Sequence, residues 1–444
     1  MRVAVEAAPA QSNRVGWYPW YVVLVLMLAQ TFSFVDRMIM GLLVGPVRET
    51  FGISDTQYSL LAGLAFAVFY AIMGLPLARI ADRSSRRVLI SIGITVWSLM
   101  TALCGLAQSF WGLFLARVGV GVGEASLGPA AYSMITDYFP KGVLARALSL
   151  FTMGVAIGSG LAYMIGAKVV AYVESLGQLH MPLLGEVQGW QATFLVVGLP
   201  GVLVAALMLL TVREPARRGS IAGAAEIPVR QVVAYLVQRK RAYFSHIIGT
   251  SIYIMVVFSL NVWGPTYLMR SFGYSPSEAG WITGLAMIIG GTAGLLGGGA
   301  LADLLYSRGR RDAYAQVMMV SALCMLPFVI ALGFVDSAPL AITCLSVALF
   351  LSAMQGGIAG GVIQLMTPNQ MRGQAVALYF LFANLLGLGL GPTVVAAATD
   401  YIFRDDAAIG QSIALVAAVM VPLAVSLLLW GTRARKQVID EAQG

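Results

Sequence analysis

Arg117 and Glu124 stand seven residues apart in one apolar stretch, Leu115-Ala-Arg117-Val-Gly119-Val-Gly121-Val-Gly123-Glu124-Ala-Ser126-Leu-Gly128-Pro129, within a segment running from about Phe110 to Phe139. A charged side chain near the centre of a bilayer costs about 2.5 to 3.5 kcal/mol on insertion scales, so two in one segment need partners, water or a solute. Their i, i+7 spacing puts both on one helix face, roughly 10 Å apart along the axis. That is too far for a direct pair and leaves room for a third group. Asp36 and Arg37 are two further charges well inside the first apolar run. Such groups can exchange protons. Burial pushes a carboxyl toward its neutral form and a nearby guanidinium draws that carboxyl back toward its charged form, so movement of the guanidinium binds or releases a proton.

The elements that must position these groups are membrane helices. The 444 residues are 59% hydrophobic and 11% charged, where a soluble domain carries about 25% charged residues. Apolar segments long enough to cross, about 20 residues each, fall near 18–44, 56–79, 88–107, 110–139, 143–172, 190–212, 243–268, 278–302, 314–334, 338–366, 373–398 and 408–430. The pattern predicts an all-α integral membrane protein of twelve helices. It divides into a tail over 1–17, a six-helix bundle over 18–212, a linker over 213–242, a second bundle over 243–430 and a tail over 431–444. The first apolar run is too long for a signal-peptide core and has no small-residue cleavage site, so it is read as a span.

A net charge of +8 raises the question of nucleic acid, but position answers it. The basic residues gather in alternate loops: Arg79, Arg83, Arg86 and Arg87; Lys141 and Arg146; Arg213 through Arg241; Arg308, Arg310 and Arg311; Arg372; Arg433, Arg435 and Lys436. The intervening loops hold little more than Arg48, Arg270 and Arg404. This positive-inside bias predicts both termini in the cytoplasm. Cys104, Cys324 and Cys344 lie in apolar spans without metal-ligand spacing, and His180 and His246 have no partner pattern.

An internal repeat supports the two halves. Arg48-Glu-Thr-Phe51-Gly52-Ile-Ser54 is echoed by Arg270-Ser-Phe272-Gly273-Tyr-Ser275, each after a Gly-Pro pair, Gly45-Pro46 and Gly264-Pro265. Phe51 to Asp82 and Phe272 to Asp303 span the same 31-residue interval, and basic clusters follow both aspartates. Parallel six-span repeats with a site between them near the midplane are a transporter architecture.

Ala78-Arg79-Ile-Ala-Asp82-Arg83-Ser-Ser85-Arg86-Arg87 resembles the signature loop between spans two and three of the major facilitator superfamily, with Ala78 and Ser85 where glycine is common. Gly154-x-x-x-Gly158-Ser-Gly160 resembles that superfamily's glycine-rich helix in span five. Phe34-Val-Asp36-Arg37, Phe51-Gly-Ile-Ser-Asp55 and Arg117 with Gly121-Val-Gly123-Glu124-Ala-Ser126 are most similar to its spinster branch, bacterial type. The Asp-Arg and Gly-x-Gly-Glu-Ala elements are also similar to organic-anion symporters of the superfamily.

The resemblance implies proton-linked alternating access for a lysophospholipid or sphingolipid-like solute. It implies a multi-pass protein of the bacterial inner membrane, working as a monomer with substrate, protons and the bilayer as partners, with neither cofactor nor nucleic acid. Small organic anions and drug export are the alternatives. The resemblance also implies a cytoplasmic gate in which Asp82, Arg83, Arg86, Arg87, Asp137 and Arg146 hold the inner side shut when the protein opens outward.

Helix direction places Asp36 and Arg117 at similar depth, so they are expected to pair, with Glu124 nearer the midplane and the three coupling protons. Arg37 and Arg117 are candidates for an anionic head. The second half carries no charge in its apolar interiors and offers Asn261, Trp263, Gln355, Tyr379 and Asn384 among Met and Gly. One charged wall facing one apolar, adaptable wall suits an amphipathic solute. An enzyme is not indicated, since there is no nucleophile-base constellation, carboxylate dyad or metal spacing. The Gly119-x-Gly121-x-Gly123 run lacks both the preceding strand and the Lys-Ser/Thr ending of a nucleotide loop.

Overall fold

A computed structural model describes residues 16–175, 179–181, 185–217, 228–368 and 370–443. Among them are twelve helices long and apolar enough to cross a bilayer: Trp17–Leu42, Asp55–Arg83, Arg86–Cys104, Phe110–Tyr138, Arg146–Tyr172 and Gly189–Thr211 in the first half, then Lys240–Phe272, Pro276–Ser307, Ala313–Ala331, Ala338–Met366, Arg372–Phe403 and Asp406–Glu441. They are called spans 1 to 12. With an even number of crossings, the start of span 1 and the end of span 12 lie on one face, the terminal face. The opposite face carries one short antiparallel hairpin, Leu179–Met181 with Gly185–Val187.

The sequence repeat is a repeated helix stop and start. Gly52 and Gly273 close the preceding helices in the left-handed conformation, φ 61° and 69°, which a side chain would resist. Two residues later Ser54 and Ser275 open spans 2 and 8 as capping boxes, each hydroxyl accepting from a backbone N–H three residues on, at 3.2 Å from Gln57 and Glu278. The two caps set equivalent corners of the two bundles.

Glycines let the spans meet backbone to backbone. A methyl on Gly158 of span 5 would stand 2.6 Å from the Thr31 carbonyl oxygen of span 1, and one on Gly160 would stand 2.7 Å from the Gly284 carbonyl oxygen of span 8. Within lipid, close van der Waals approach of small residues is what holds helices together. The glycine-rich motif of span 5 therefore seats it on span 1 with one pair of glycines and on the other bundle with the third.

The last helix continues to Gln443, beyond the expected end of its apolar run. Val438 and Ile439 are buried on this extension, and Arg435, fully buried, pairs with Asp312 through contacts of 2.9 and 3.1 Å. The linker holds an amphipathic helix, Val229–Gln238, whose Val232 is buried and whose Tyr235 hydroxyl donates to the Met366 carbonyl at 3.3 Å.

Candidate functional site

Span 1 presents Ser33 and Arg37 on one face, four residues apart, toward Glu124 of span 4. The Ser33 hydroxyl donates to Glu124 Oε2 at 2.6 Å, and Arg37 donates to the same oxygen through Nε at 2.6 Å, with Nη2 also 2.6 Å away. The Glu124 side chain is wholly buried and that of Arg37 is 8% exposed. Glu124 Oε1 has no hydrogen-bond partner. The Arg37 guanidinium lies 4.8, 4.5 and 4.8 Å from the ring centroids of Phe34, Phe66 and Tyr70, an aromatic cradle that suits a desolvated cation.

The expected Asp36–Arg117 ion pair is absent. Arg117 is fully buried with no carboxylate within ion-pair distance among the described residues, and it donates instead to the backbone oxygens of Leu61 and Asp36, both at 3.4 Å. Asp36 is 2% exposed and its Oδ1 has no partner. Asp36 and Arg117 do meet, through the Asp36 backbone oxygen, but Ser33 and Arg37 share the face that meets Glu124, and Asp36 lies about 100° round from Arg37. Leu61 sits in a wide i→i+5 turn, Leu60–Leu64. Such a turn loosens the carbonyl ladder of its helix, and here it turns one carbonyl toward a buried cation.

The residues expected in the cytoplasmic gate divide. Arg86 is fully buried and joins three elements: Nη1 donates to Asp137 at 2.5 Å and to Ser133 at 2.8 Å, and Nε to Glu214 at 2.7 Å. Glu214 also accepts from the Arg87 backbone N–H at 2.9 Å, while the Arg87 side chain donates to the Val212 carbonyl at 3.3 Å. These bonds tie spans 3 and 4 to the end of span 6, all within the first bundle. Asp82, Arg83 and Arg146 are exposed and form no ion pair among the described residues. Glu214 had a signal in the sequence, being the acid beside Arg213 at the start of a basic linker.

The second-half candidates are dispersed. Trp263 is fully buried and its indole donates to the Pro392 carbonyl at 2.9 Å, a packing bond inside the second bundle. Tyr379 is buried beside His246, their rings 6.2 Å apart, and Gln355 is buried in the turn over 354–357 that interrupts span 10. Asn384 is half-buried and donates to the Phe380 carbonyl of its own helix at 2.8 Å. Asn261 contributes its backbone oxygen, which accepts from Tyr163 of the first bundle. None of the five has a side-chain hydrogen bond to the Arg37 cluster. Membership of a span does not fix which face a residue occupies, and that is why this set does not assemble.

Sequence reasoning missed a second charged centre, at the face opposite the termini. Arg270 of span 7 donates to Asp55 of span 2 through Nη1 at 2.6 Å and Nη2 at 2.8 Å. Arg48 donates to Asp406 of span 12 at 2.6 Å and lies 3.0 Å from Asp55. The Thr56 N–H donates to Asp400 of span 11 at 2.7 Å. Side-chain bonds between the halves cluster at this end, with Ser59–Thr393 at 3.1 Å and Lys168 5.1 Å from the Trp281 ring adding to them. The two arginines are those of the sequence repeat. Asp55, Asp400 and Asp406 bring carboxylate oxygens within 4.8 Å of one another, but Arg48, Arg270 and an N–H already engage them, which is the chemistry of a lock between bundles.

Two six-span bundles, tied together at one end by a charged centre and carrying a buried charged cluster within the first, define a multi-pass membrane transporter. The chain belongs to the Major Facilitator Superfamily, whose sequence profile matches residues 26–392. It is similar to an MFS-type efflux pump of Mycolicibacterium smegmatis, 31% identical over 429 residues, covering 96% of this chain and 95% of that one. It is also similar to the protein spinster homolog 1 of Xenopus tropicalis, 26% identical over 409 residues, covering 87% of this chain and 74% of that one. Among solved structures it resembles a bacterial homolog of the human lysosomal transporter spinster in an inward-facing, unoccupied conformation, with TM-score 0.76, 27% identity and coverage of 95% and 97%.

Proposed function

We propose that this chain is a proton-coupled carrier of an amphipathic, lipid-like solute, a lysophospholipid or a sphingolipid in character, working by alternating access. The observation that carries the reading is the buried Ser33–Arg37–Glu124 cluster beside three aromatic rings. An anionic or zwitterionic head competes with Glu124 for the Arg37 guanidinium, and its apolar tail lies against the aromatic and Met-rich walls. Glu124, released from Arg37 in a dry setting, is then neutralised by a proton. Asp36 and Arg117 sit next in line, each without a side-chain ion-pair partner, and complete the proton path. The Arg48–Asp406 and Arg270–Asp55 pairs are the outer gate, shut in this conformation, while exposed Asp82 and Arg83 belong to an inner gate that closes when the outer one opens.

The basic loops of the terminal face support a cytoplasmic placement for it, and on this reading the protein is an inward-facing, single-copy carrier of a bacterial inner membrane. Uptake by Glu124→Gln in proteoliposomes under an imposed pH gradient tests the coupling. The variant should lose gradient-driven accumulation of lysophospholipid by about two orders of magnitude while retaining exchange of solute for solute. Undiminished accumulation removes Glu124 from the mechanism. Drug export is a second reading, favoured by the 31% identity to the mycobacterial efflux pump. Thermal-shift screening separates the two: stabilisation by lysophospholipids and sphingoid phosphates supports the first, and stabilisation by apolar cations alone supports the second.

A further inference from the structure

A second ligand site lies on the terminal face of the second bundle, away from the transport cluster. The turn between spans 8 and 9 and the end of span 12 enclose a recess of about 360 Å³ lined by Gly309, Arg310, Arg311, Gln316 and Lys436. Gly309, at φ 86°, makes a turn that other residues adopt with difficulty and so sets the two arginines at the rim. Arg311 is partly engaged by Asp440 at 3.4 Å. Arg310 and Lys436 form no ion pair among the described residues. The buried Asp312–Arg435 pair beneath fixes the start of span 9 against span 12 and cancels its own charge. The N-terminus of the span 9 helix, Ala313–Ala331, opens beside the recess and adds positive potential.

What lies along the same helix faces identifies the occupant. From Gln316 the face of span 9 continues through Val320 and Leu323, at i+4 and i+7, which are 58% and 48% exposed. From Lys436 the face of span 12 runs back seven residues to Leu429, 58% exposed. Spans 9 and 12 pack against each other. A cationic recess at the membrane boundary therefore caps an apolar strip that runs into the membrane. A free inorganic anion has no use for that strip, whereas a phosphodiester with acyl chains matches both parts.

We propose that this recess binds the headgroup of an anionic phospholipid of the leaflet on the terminal face. A bound lipid clamps the span 8–9 turn to span 12, and so holds the terminal-face ends of the second bundle as one body. The claim is independent of what the protein transports.

The test is lipid retention by the purified full-length protein in mixed micelles containing phosphatidylglycerol and phosphatidylcholine, read by native mass spectrometry. The wild type should retain phosphatidylglycerol preferentially, and the double variant R310Q/K436Q should retain about tenfold less of it, with phosphatidylcholine unchanged. The double variant leaves the Arg311–Asp440 and Arg435–Asp312 pairs in place, and R310K/K436R controls for folding by restoring retention. Equal retention by wild type and R310Q/K436Q overturns the proposal. Competition by millimolar inorganic phosphate as effective as that by phosphatidylglycerol also overturns it, since the site would then take the free anion.

Discussion

The Arg37–Glu124 and Arg270–Asp55 pairs share their chemistry and a closest contact of 2.6 Å, yet they hold different things together. The first lies inside one bundle, with both side chains nearly dry and an unpartnered Glu124 Oε1 beside it. The second joins the two bundles at their closed end, where Asp55 is buried, Arg270 is 17% exposed and Arg48 stands 3.0 Å away as a second cation. A dry pair inside a rigid body cannot be released by domain motion and answers only to a competing charge or a proton. A pair between bodies is broken when the bodies part and re-forms when they meet. Under the proposed function, this placement assigns coupling to the first pair and gating to the second.

That contrast can be broken at either end. Arg37→Ala should have the largest effect, leaving Glu124 buried without its cation and lowering stability by about 3 to 5 kcal/mol in thermal or denaturant melts. Adding Glu124→Gln to it should recover most of the loss. If the double variant is as unstable as Arg37→Ala alone, the pair is not the unit described here. Arg270→Ala should leave stability nearly unchanged, because Arg48 still stands 3.0 Å from buried Asp55, and instead weaken the closed end opposite the termini by about 1 to 2 kcal/mol, a five- to thirtyfold shift in occupancy. Labelling of cysteines placed near Ser59 and Thr393 reads this opening, and unaltered labelling would remove the gate assignment. Asp82→Asn should be mildest. Asp82 has no ion-pair partner in the conformation described, so the variant should destabilise only the alternative state and bias the population toward this one by roughly two- to fivefold. Cysteine accessibility on the terminal face measures it.

Much of this architecture was legible in the sequence. Hydropathy and loop charge fix twelve spans and two halves, because each crossing needs its own run of about 20 apolar residues. The Phe-Gly-x-Ser repeat was visible as a pattern, and its cause is the paired left-handed glycine and serine cap. The buried charges were visible as well, and Arg37, Arg117 and Glu124 do gather. Their partners were not legible, since a step of one residue turns a side chain by about 100° and exchanges Asp36 for Arg37 opposite Glu124. Arg48 and Arg270 stood out as nearly the only cations in their loops, but Asp406 lies 358 residues from Arg48, and sequence alone does not bring them together. Trp263 and Tyr379 show the converse error, where polar character in a span signalled packing within one bundle.

The wide turn at Leu60–Leu64 accommodates one residue more than a regular helical turn over the same rise. Asp55 lies six residues upstream of Leu61, on the same continuous helix, so the carbonyl that solvates Arg117 and the carboxylate that grips Arg270 share one shaft. If that extra residue were drawn back into a regular spiral, everything before it would swing by about 100° and carry Asp55 off its partner. A local rewinding beside the buried cation would then be felt as torque at the Arg270–Asp55 pair, with no chain of side-chain contacts needed to transmit it.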